Sequence, residues 1–325
     1  MKVLRTAAMA ACLWMPVGAV GAQSPSVGPA PASVTLQQLA TGAPDEQMVL
    51  LVWQPAVTAG DTGADASEGR RSLVIISHGT GASPMAHIDT AEALAAAGFV
   101  VVAPMHRGDN FQDDSNVGRP QWMARRSRDV SDAIDFMAQE WAGRTHLDVD
   151  RVGIFGFSAG ATTALVASGG VPDLRRVASH CATQREFVCT ILPPQPDSAG
   201  SQPQPWVHDP RIAAAVVAAP GLGFAFEPAG LANVQVPVQL WAGSQDDTVP
   251  YESNAGVVRR LLPQAPDFHS VEGAAHLSFL APCTPETPPP LCRDPEGFDR
   301  AAFHEQLNRS VTAFFREHLR GASGQ

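Results

Sequence analysis

The sequence predicts a single α/β domain in which a mainly parallel central sheet is flanked by helices. A chain of 325 residues, 45% of them hydrophobic, has enough apolar side chains for one large core. Short unbroken apolar runs, typical of strands buried on both faces, alternate with segments of helical periodicity. This alternation predicts strands that are joined by crossover helices and therefore pair in parallel.

Seven strands are predicted from the apolar runs, at residues 48–53, 72–77, 99–104, 151–155, 212–219, 236–243 and, more weakly, 268–272. The clearest helix is predicted over residues 120–142, with Pro120 in its first turn. A second amphipathic helix is predicted near the C-terminus, where Phe303, Leu307 and Phe314 share one stripe.

The first 46 residues differ in composition from the rest of the chain. Residues 1–22 combine a basic start, an apolar run and a small-residue stretch, which predicts a signal peptide and export to the periplasm or the medium. The apolar run is too short for a stable membrane span. Residues 23–46 are rich in Pro, Ala, Ser and Gly and are interpreted as a flexible segment. Residues 47–325 are predicted to form the domain, with irregular insertions at about 171–210 and 281–296.

Four cysteines follow the predicted cleavage site, and they form two local couples, Cys181 with Cys189 and Cys283 with Cys292. In an oxidising compartment the simple interpretation is one disulfide in each insertion, although four cysteines allow three pairings. The absence of close CxxC spacing disfavours a zinc site. Cys12 leaves lipidation as a minor alternative to cleavage.

The charged residues of the chain limit which binding partners and which kinds of chemistry are expected. The formal net charge of −10 argues against nucleic acid and anionic membranes. Lys2 is the sole lysine, so the exported chain cannot use a catalytic lysine or a Schiff base. The acidic run 107–116 contains Asp109, Asp113 and Asp114, and a solvated loop near the cleft is favoured over a calcium site because the spacing matches no known calcium loop.

The strongest chemical signal is GFSAG at residues 156–160, between a predicted strand and a predicted helix. This is the setting of a GxSxG nucleophile elbow, in which small residues allow a tight turn and expose the serine. Ser158 is therefore the predicted nucleophile. The backbone N–H of Ala159 is predicted to point into the site.

A serine nucleophile needs a general base, and that base needs a third group to orient it. Asp246 or Asp247 follows a predicted strand, and His276 follows the next one, so the chain order is Ser, Asp, His. His269 is the alternative base, but it lies inside a predicted strand. His276 is preferred because it lies after the strand.

The segments ISHGTGASP, GFSAG, GSQDDTVP and GAAHLSF resemble the α/β-hydrolase superfamily. They look most like its dienelactone-hydrolase-like and platelet-activating-factor-acetylhydrolase-like branches, over about residues 48–320 without the insertions. The GxxDxxVP pattern of the family falls on Gly243, Asp246, Val249 and Pro250, which selects Asp246 over Asp247. By the same resemblance the backbone N–H groups of Thr80 and Ala159 form an oxyanion hole, with Gly81 as the alternative to Thr80.

The resemblance implies a serine hydrolase that cleaves small-molecule carboxylic esters through an acyl-enzyme, without metal or organic cofactor. Dienelactone hydrolases proper carry a cysteine nucleophile, so the serine at position 158 favours ordinary esters over lactones. Acyl transfer, peptide cleavage and a catalytically silent binding role remain open alternatives. Trp206 is a candidate for lining an acyl pocket. The sequence leaves the oligomeric state open.

Overall fold

A computed structural model describes residues 34–42, 46–55, 70–192 and 205–319. The predicted signal peptide, residues 1–22, lies outside the described residues. Among the described residues, none of the helices combines the length and the apolar character that crossing a membrane requires.

The described residues contain one sheet of eight strands. In chain order these are β1 (Val34–Thr41), β2 (Met48–Pro55), β3 (Arg71–Ser77), β4 (Val100–Pro104), β5 (Leu147–Phe157), β6 (Ile212–Ala218), β7 (Val238–Gly243) and β8 (Asp267–Val271). Their order across the sheet is β1-β2-β4-β3-β5-β6-β7-β8. The pairs from β4 to β8 are parallel, and β2 is antiparallel to both β1 and β4. The prediction of a mainly parallel α/β sheet is confirmed.

Eight α-helical segments accompany the sheet in the described part of the chain. They are α1 (Ile88–Ala96), α2 (Trp122–Gln139), α3 (Ala159–Ala167), α4 (Arg176–Thr183), α5 (Val188–Ile191), α6 (Pro228–Leu231), α7 (Ala255–Leu261) and α8 (Arg300–Leu319). The helix predicted over 120–142 corresponds to α2. It begins at Trp122, so Pro120 precedes the first turn and does not lie within it.

Two hydrophobic layers cover the two faces of the sheet. Side chains alternate along each strand, so that in β3 Leu73 and Ile75 face one layer and Val74 and Ile76 face the other. The first layer is completed by α2, α3 and α7, and the second by α1 and α8. Because the central strands are buried on both faces, their apolar runs are unbroken in the sequence.

The interpretation of residues 23–46 as a flexible segment is wrong for Val34–Thr41, which form β1. This strand pairs along its whole length with β2 at the edge of the sheet. An edge strand is held largely by backbone hydrogen bonds, and most of its side chains are exposed. For this reason β1 lacks the apolar run by which the inner strands were predicted.

Candidate active site

The turn between β5 and α3 holds Ser158 in a strained conformation, with φ 55° and ψ −118°. Positive φ is costly for a residue with a side chain, and such strain is concentrated at functional sites. A Cβ on Gly156 would collide with the carbonyl of Gly160, and one on Gly160 would collide with the carbonyl of Ser77. The two glycines therefore allow the close turn that presents the serine.

Ser158, His276 and Asp246 form one hydrogen-bonded line. The Oγ of Ser158 lies 3.0 Å from Nε2 of His276, and Nδ1 of His276 lies 2.8 Å from Oδ2 of Asp246. His276 and Asp246 are buried, whereas Ser158 is half-buried. The imidazole is thus placed to accept the hydroxyl proton while the carboxylate fixes its tautomer.

The loops after β7 and β8 hold the acid and the histidine in register. The backbone N–H of Gln245 donates to the carbonyl of Ala274 at 2.9 Å, which joins the two loops. Oδ1 of Asp246 accepts hydrogen bonds from the N–H groups of Thr248 and Val249, at 3.0 and 2.9 Å. These bonds leave Oδ2 directed at the imidazole.

The structure distinguishes between the alternatives that were considered from the sequence, Asp246 or Asp247 as the acid and His276 or His269 as the base. Asp247 is exposed, and it is Asp246 that contacts His276. His269 lies in β8, stacked on Trp241 with ring centroids 4.0 Å apart and paired with Asp267 at 3.0 Å. His269 therefore takes no part in the hydrogen-bonded line.

The loop after β3 passes beside the serine. A Cβ built on Gly79 would lie 3.4 Å from Cβ of Ser158, so the chain makes a close approach there. The N–H of Gly81 already donates to Oδ1 of Asp109 at 2.6 Å. Among the described residues, no acceptor is found for the N–H of Thr80 or of Ala159. These two groups are therefore available to a ligand oxygen.

The acidic run 107–116 is only partly a solvated loop. Asp113 and Asp114 are exposed, but Asp109 is fully buried and pairs with Arg126 at 2.5 Å. Burial favours a raised pKa for Asp109, but Arg126 and the hydrogen bonds from Trp122 and Gly81 outweigh it and lower the pKa. The interpretation as a solvated loop is therefore wrong for Asp109. No cluster suited to a metal ion occurs in the described part of the chain.

Arg126, whose guanidinium is fully buried, was not predicted as a residue of the site. A signal for it exists in the sequence. Arg126 lies one helical turn before Val130 and two before Ile134, on the apolar stripe of α2. A charged residue in such a stripe requires a buried partner, but the sequence alone does not show which acid supplies it.

The first insertion is more ordered than predicted. Residues 171–210 were expected to be irregular, but they contain α4 and α5, joined by the disulfide between Cys181 and Cys189. Apolar side chains of both helices pack into a cluster that includes Ala159, next to Ser158, and Trp206 packs at its margin. The helices escaped prediction because α5 has only four residues and α4 buries only Val177.

Glu186 anchors the first insertion to the loop before α7. This carboxylate is buried and accepts hydrogen bonds from the hydroxyl of Ser253 and from Nδ2 of Asn254, the latter at 2.9 Å. Asn254 in turn accepts from the N–H of Gly223 at 3.0 Å. The insertion is thus tied to the framework of the sheet edge that carries Ser158.

The second insertion braces the turn that carries His276. The disulfide between Cys283 and Cys292 closes a loop within this insertion, and Asp294 lies two residues after Cys292. Oδ1 of Asp294 accepts from the hydroxyl of Ser278 at 2.7 Å, two residues beyond His276. The prediction of one disulfide in each insertion is confirmed.

Comparison with known proteins agrees with this architecture. A model of the dienelactone hydrolase family matches residues 59–197, a range that includes the turn at Ser158. The crystal structure of dienelactone hydrolase from Anabaena variabilis ATCC 29413 superposes with a TM-score of 0.53, covering 88% of this chain and 99% of that chain. The chain has the fold of the α/β-hydrolase superfamily. The resemblance to its dienelactone-hydrolase-like branch is confirmed, whereas the resemblance to the second branch stays a prediction.

The likeness of this chain to the solved structure is one of fold. The two chains share 17% sequence identity, which leaves substrate and site residues to be argued from this chain alone. The sequence comparison with curated proteins gives no match.

Proposed function

We propose that this protein is a serine hydrolase of carboxylic esters that works through an acyl-enzyme. The observation that carries the proposal is the line of hydrogen bonds from Ser158 through His276 to Asp246, with the serine on a strained turn. The family match over residues 59–197 independently supports hydrolase chemistry. A serine hydroxyl that is paired with an oriented imidazole is the arrangement that acyl transfer requires.

In the proposed reaction, Oγ of Ser158 attacks the ester carbonyl carbon while Nε2 of His276 takes the hydroxyl proton. The tetrahedral intermediate collapses, and His276 returns that proton to the leaving alkoxide, so that an alcohol departs and the acyl group stays on Ser158. A water molecule, deprotonated by His276, then attacks the acyl-enzyme and releases the acid. Asp246 stabilises the imidazolium that forms in each step.

The backbone N–H groups of Thr80 and Ala159 are the proposed oxyanion donors. Ala159 adjoins Ser158 in the chain, Thr80 follows Gly79 where the loop after β3 approaches Ser158, and neither N–H has another acceptor among the described residues. Removal of one such donor costs roughly 3–4 kcal/mol of transition-state stabilisation in a well-studied serine hydrolase. The engagement of Gly81 by Asp109 favours Thr80 over Gly81 as the first donor.

The test is hydrolysis of p-nitrophenyl esters, from acetate to long acyl chains, by the wild type and by Ser158→Ala. We expect turnover by the wild type and a loss of about 10³-fold or more in kcat for the variant. Asp246→Asn is expected to lose activity, whereas the matched control Asp247→Asn, at an exposed neighbour, retains it. Equal activity of Ser158→Ala and wild type on every ester would contradict the proposal.

The same assay separates hydrolysis from acyl transfer. Adding a primary alcohol at increasing concentration gives a new ester if the acyl-enzyme prefers that acceptor to water. We expect the free acid to remain the main product. Peptide cleavage is tested with peptide p-nitroanilides, on which we expect turnover far below that on the esters.

We also infer that the protein is exported. The inference rests on the signal-peptide pattern of residues 1–22 and on the two disulfides, which persist in oxidising compartments. N-terminal sequencing of the protein recovered outside the cytoplasm should start at residue 23. An uncleaved chain retained in the cytoplasm would contradict it.

A further inference from the structure

A buried ion pair lies beneath the two segments that carry the proposed oxyanion donors. The guanidinium of Arg126 and the carboxylate of Asp109 are both fully buried, 2.5 Å apart. The proposed reaction gives neither group a chemical step. The contacts of the pair nevertheless reach both of the segments that carry the proposed donors.

On one side, the pair holds the loop after β3 at two points. One amino group of Arg126 donates to the carbonyl oxygen of His78. Oδ1 of Asp109 accepts from the N–H of Gly81 at 2.6 Å. These two contacts lie on either side of Thr80, so the backbone that carries its N–H is held at His78 and at Gly81.

On the other side, the same guanidinium holds the start of α3. Nε of Arg126 donates to the hydroxyl of Thr163 at 3.0 Å, and that hydroxyl donates to the carbonyl of Ala159 at 2.9 Å. The planar guanidinium thus spans the distance between Ala159 and the loop at His78. Lysine has no fork of donors that could make these contacts together.

Asp109 is fixed by a third group. Its Oδ2 accepts from Nε1 of Trp122 at 2.6 Å as well as from Arg126. Trp122 begins α2, the helix that carries Arg126. Arg126 lies in α2 and Asp109 is hydrogen-bonded to α2, so this helix fixes the position of both members of the pair.

Stability alone does not account for such a pair, because a buried ion pair is often replaceable by apolar residues at little cost. Control of the position of the oxyanion donors accounts for the pair better. Donors that stabilise a developing oxyanion must be held within about 0.5 Å of their productive position. A displacement of about 1 Å can cost roughly 10²-fold in rate.

We propose that Arg126 and Asp109 are positioning residues that set the spacing of the Thr80 and Ala159 N–H groups in the oxyanion hole. The inference rests on the proposed function. The pair touches neither the substrate nor Ser158 and acts through the backbone that it holds.

The test compares Asp109→Asn with Asp209→Asn. Asp209 is a matched control, since it is a buried aspartate paired with Arg211 at 2.6 Å, just before the start of β6 and so at the opposite edge of the sheet from Ser158. For each protein, kcat and KM are measured on an ester and on the thionoester of the same structure. The sulfur of a thionoester accepts hydrogen bonds weakly, so its turnover depends less on the oxyanion donors.

We expect Asp109→Asn to lower kcat on the ester by roughly 10²-fold with little change in KM, and to lower the ratio of ester to thionoester rates by a similar factor. Asp209→Asn is expected to lower the melting temperature and leave that ratio unchanged. The inference is overturned if Asp109→Asn slows both substrates equally or if the two variants behave alike.

A milder variant covers the case in which Asp109→Asn does not fold. Trp122→Phe removes one hydrogen bond from Asp109 and keeps the ion pair. We expect a smaller fall in the same ratio, and an unchanged ratio in this folded variant would overturn the inference. Failure of the proposed function is a distinct result, since the wild type would then hydrolyse no ester at all.

Discussion

Replacing His87 by leucine should make the protein less sensitive to acid. His87 ends the short 3-10 helix before α1 and is almost completely buried, with its ring edge on Phe155 and Phe157 at centroid distances of 5.1 and 5.3 Å. Burial lowers the pKa of His87 from 6.5 to about 4, against an opposing contribution from nearby Asp89. The folded protein therefore holds this imidazole neutral at pH values where the unfolded chain protonates it.

The direction and size of the effect follow from proton linkage. Since the folded pKa lies below the unfolded one, the unfolded state binds more protons between pH 6.5 and 4, and stability is lost as the pH falls through that window. At about 1.36 kcal/mol per pKa unit, His87 alone removes about 2 kcal/mol by pH 5 and about 3 kcal/mol by pH 4.

The assay is urea unfolding at pH 7 and at pH 5 for the wild type, His87→Leu and a control, His146→Leu, at an exposed histidine. His87→Leu should lose about 2 kcal/mol less than the wild type between the two pH values. Part of the acid sensitivity should remain, because burial also lowers the pKa of His78 and of His106. An equal loss in the wild type and His87→Leu would show that burial of His87 does not cause the acid sensitivity.

Further predictions concern the glycine and the two disulfides that support the site. Gly160→Ala puts a Cβ into the carbonyl at the end of β3 and should lower the free energy of unfolding by about 3 kcal/mol in chemical denaturation; an unchanged midpoint would contradict the packing described. Serine at both Cys283 and Cys292 loosens the insertion that carries Asp294, the partner of Ser278 near His276, so kcat on p-nitrophenyl acetate should fall several-fold at constant KM. The same change in the other disulfide should alter preference for acyl-chain length instead, and identical profiles for the two variants would count against this division.

Much of the fold could be predicted because the inner strands carry their burial in the sequence. The runs at 72–77 and 99–104 correspond to β3 and β4 within one residue, since parallel strands covered on both faces are continuously apolar. The antiparallel pairing of β2 could not be predicted, because an apolar run does not reveal the direction of its neighbour. The edge strand β1 was missed because backbone pairing, more than side-chain burial, holds it.

Some residues of the site could be predicted from the local sequence, whereas others depend on tertiary packing. Ser158 could be proposed because its turn needs glycines at fixed spacing, and His276 and Asp246 because each follows a strand at the same sheet edge. The structure brings all three together, while their catalytic roles stay predictions. The pairing of Arg126 with Asp109 could not be predicted, since it depends on how α2 packs beneath the loop after β3.

Trapping the acyl-enzyme tests most directly whether Ser158 is the nucleophile. The protein is mixed with p-nitrophenyl acetate, quenched in acid within the first turnover, and analysed by intact-mass and peptide mass spectrometry. We expect one added acetyl group, located on Ser158 in the wild type and absent from Ser158→Ala. An acetyl group on another residue, or rapid ester hydrolysis by Ser158→Ala, would contradict this expectation.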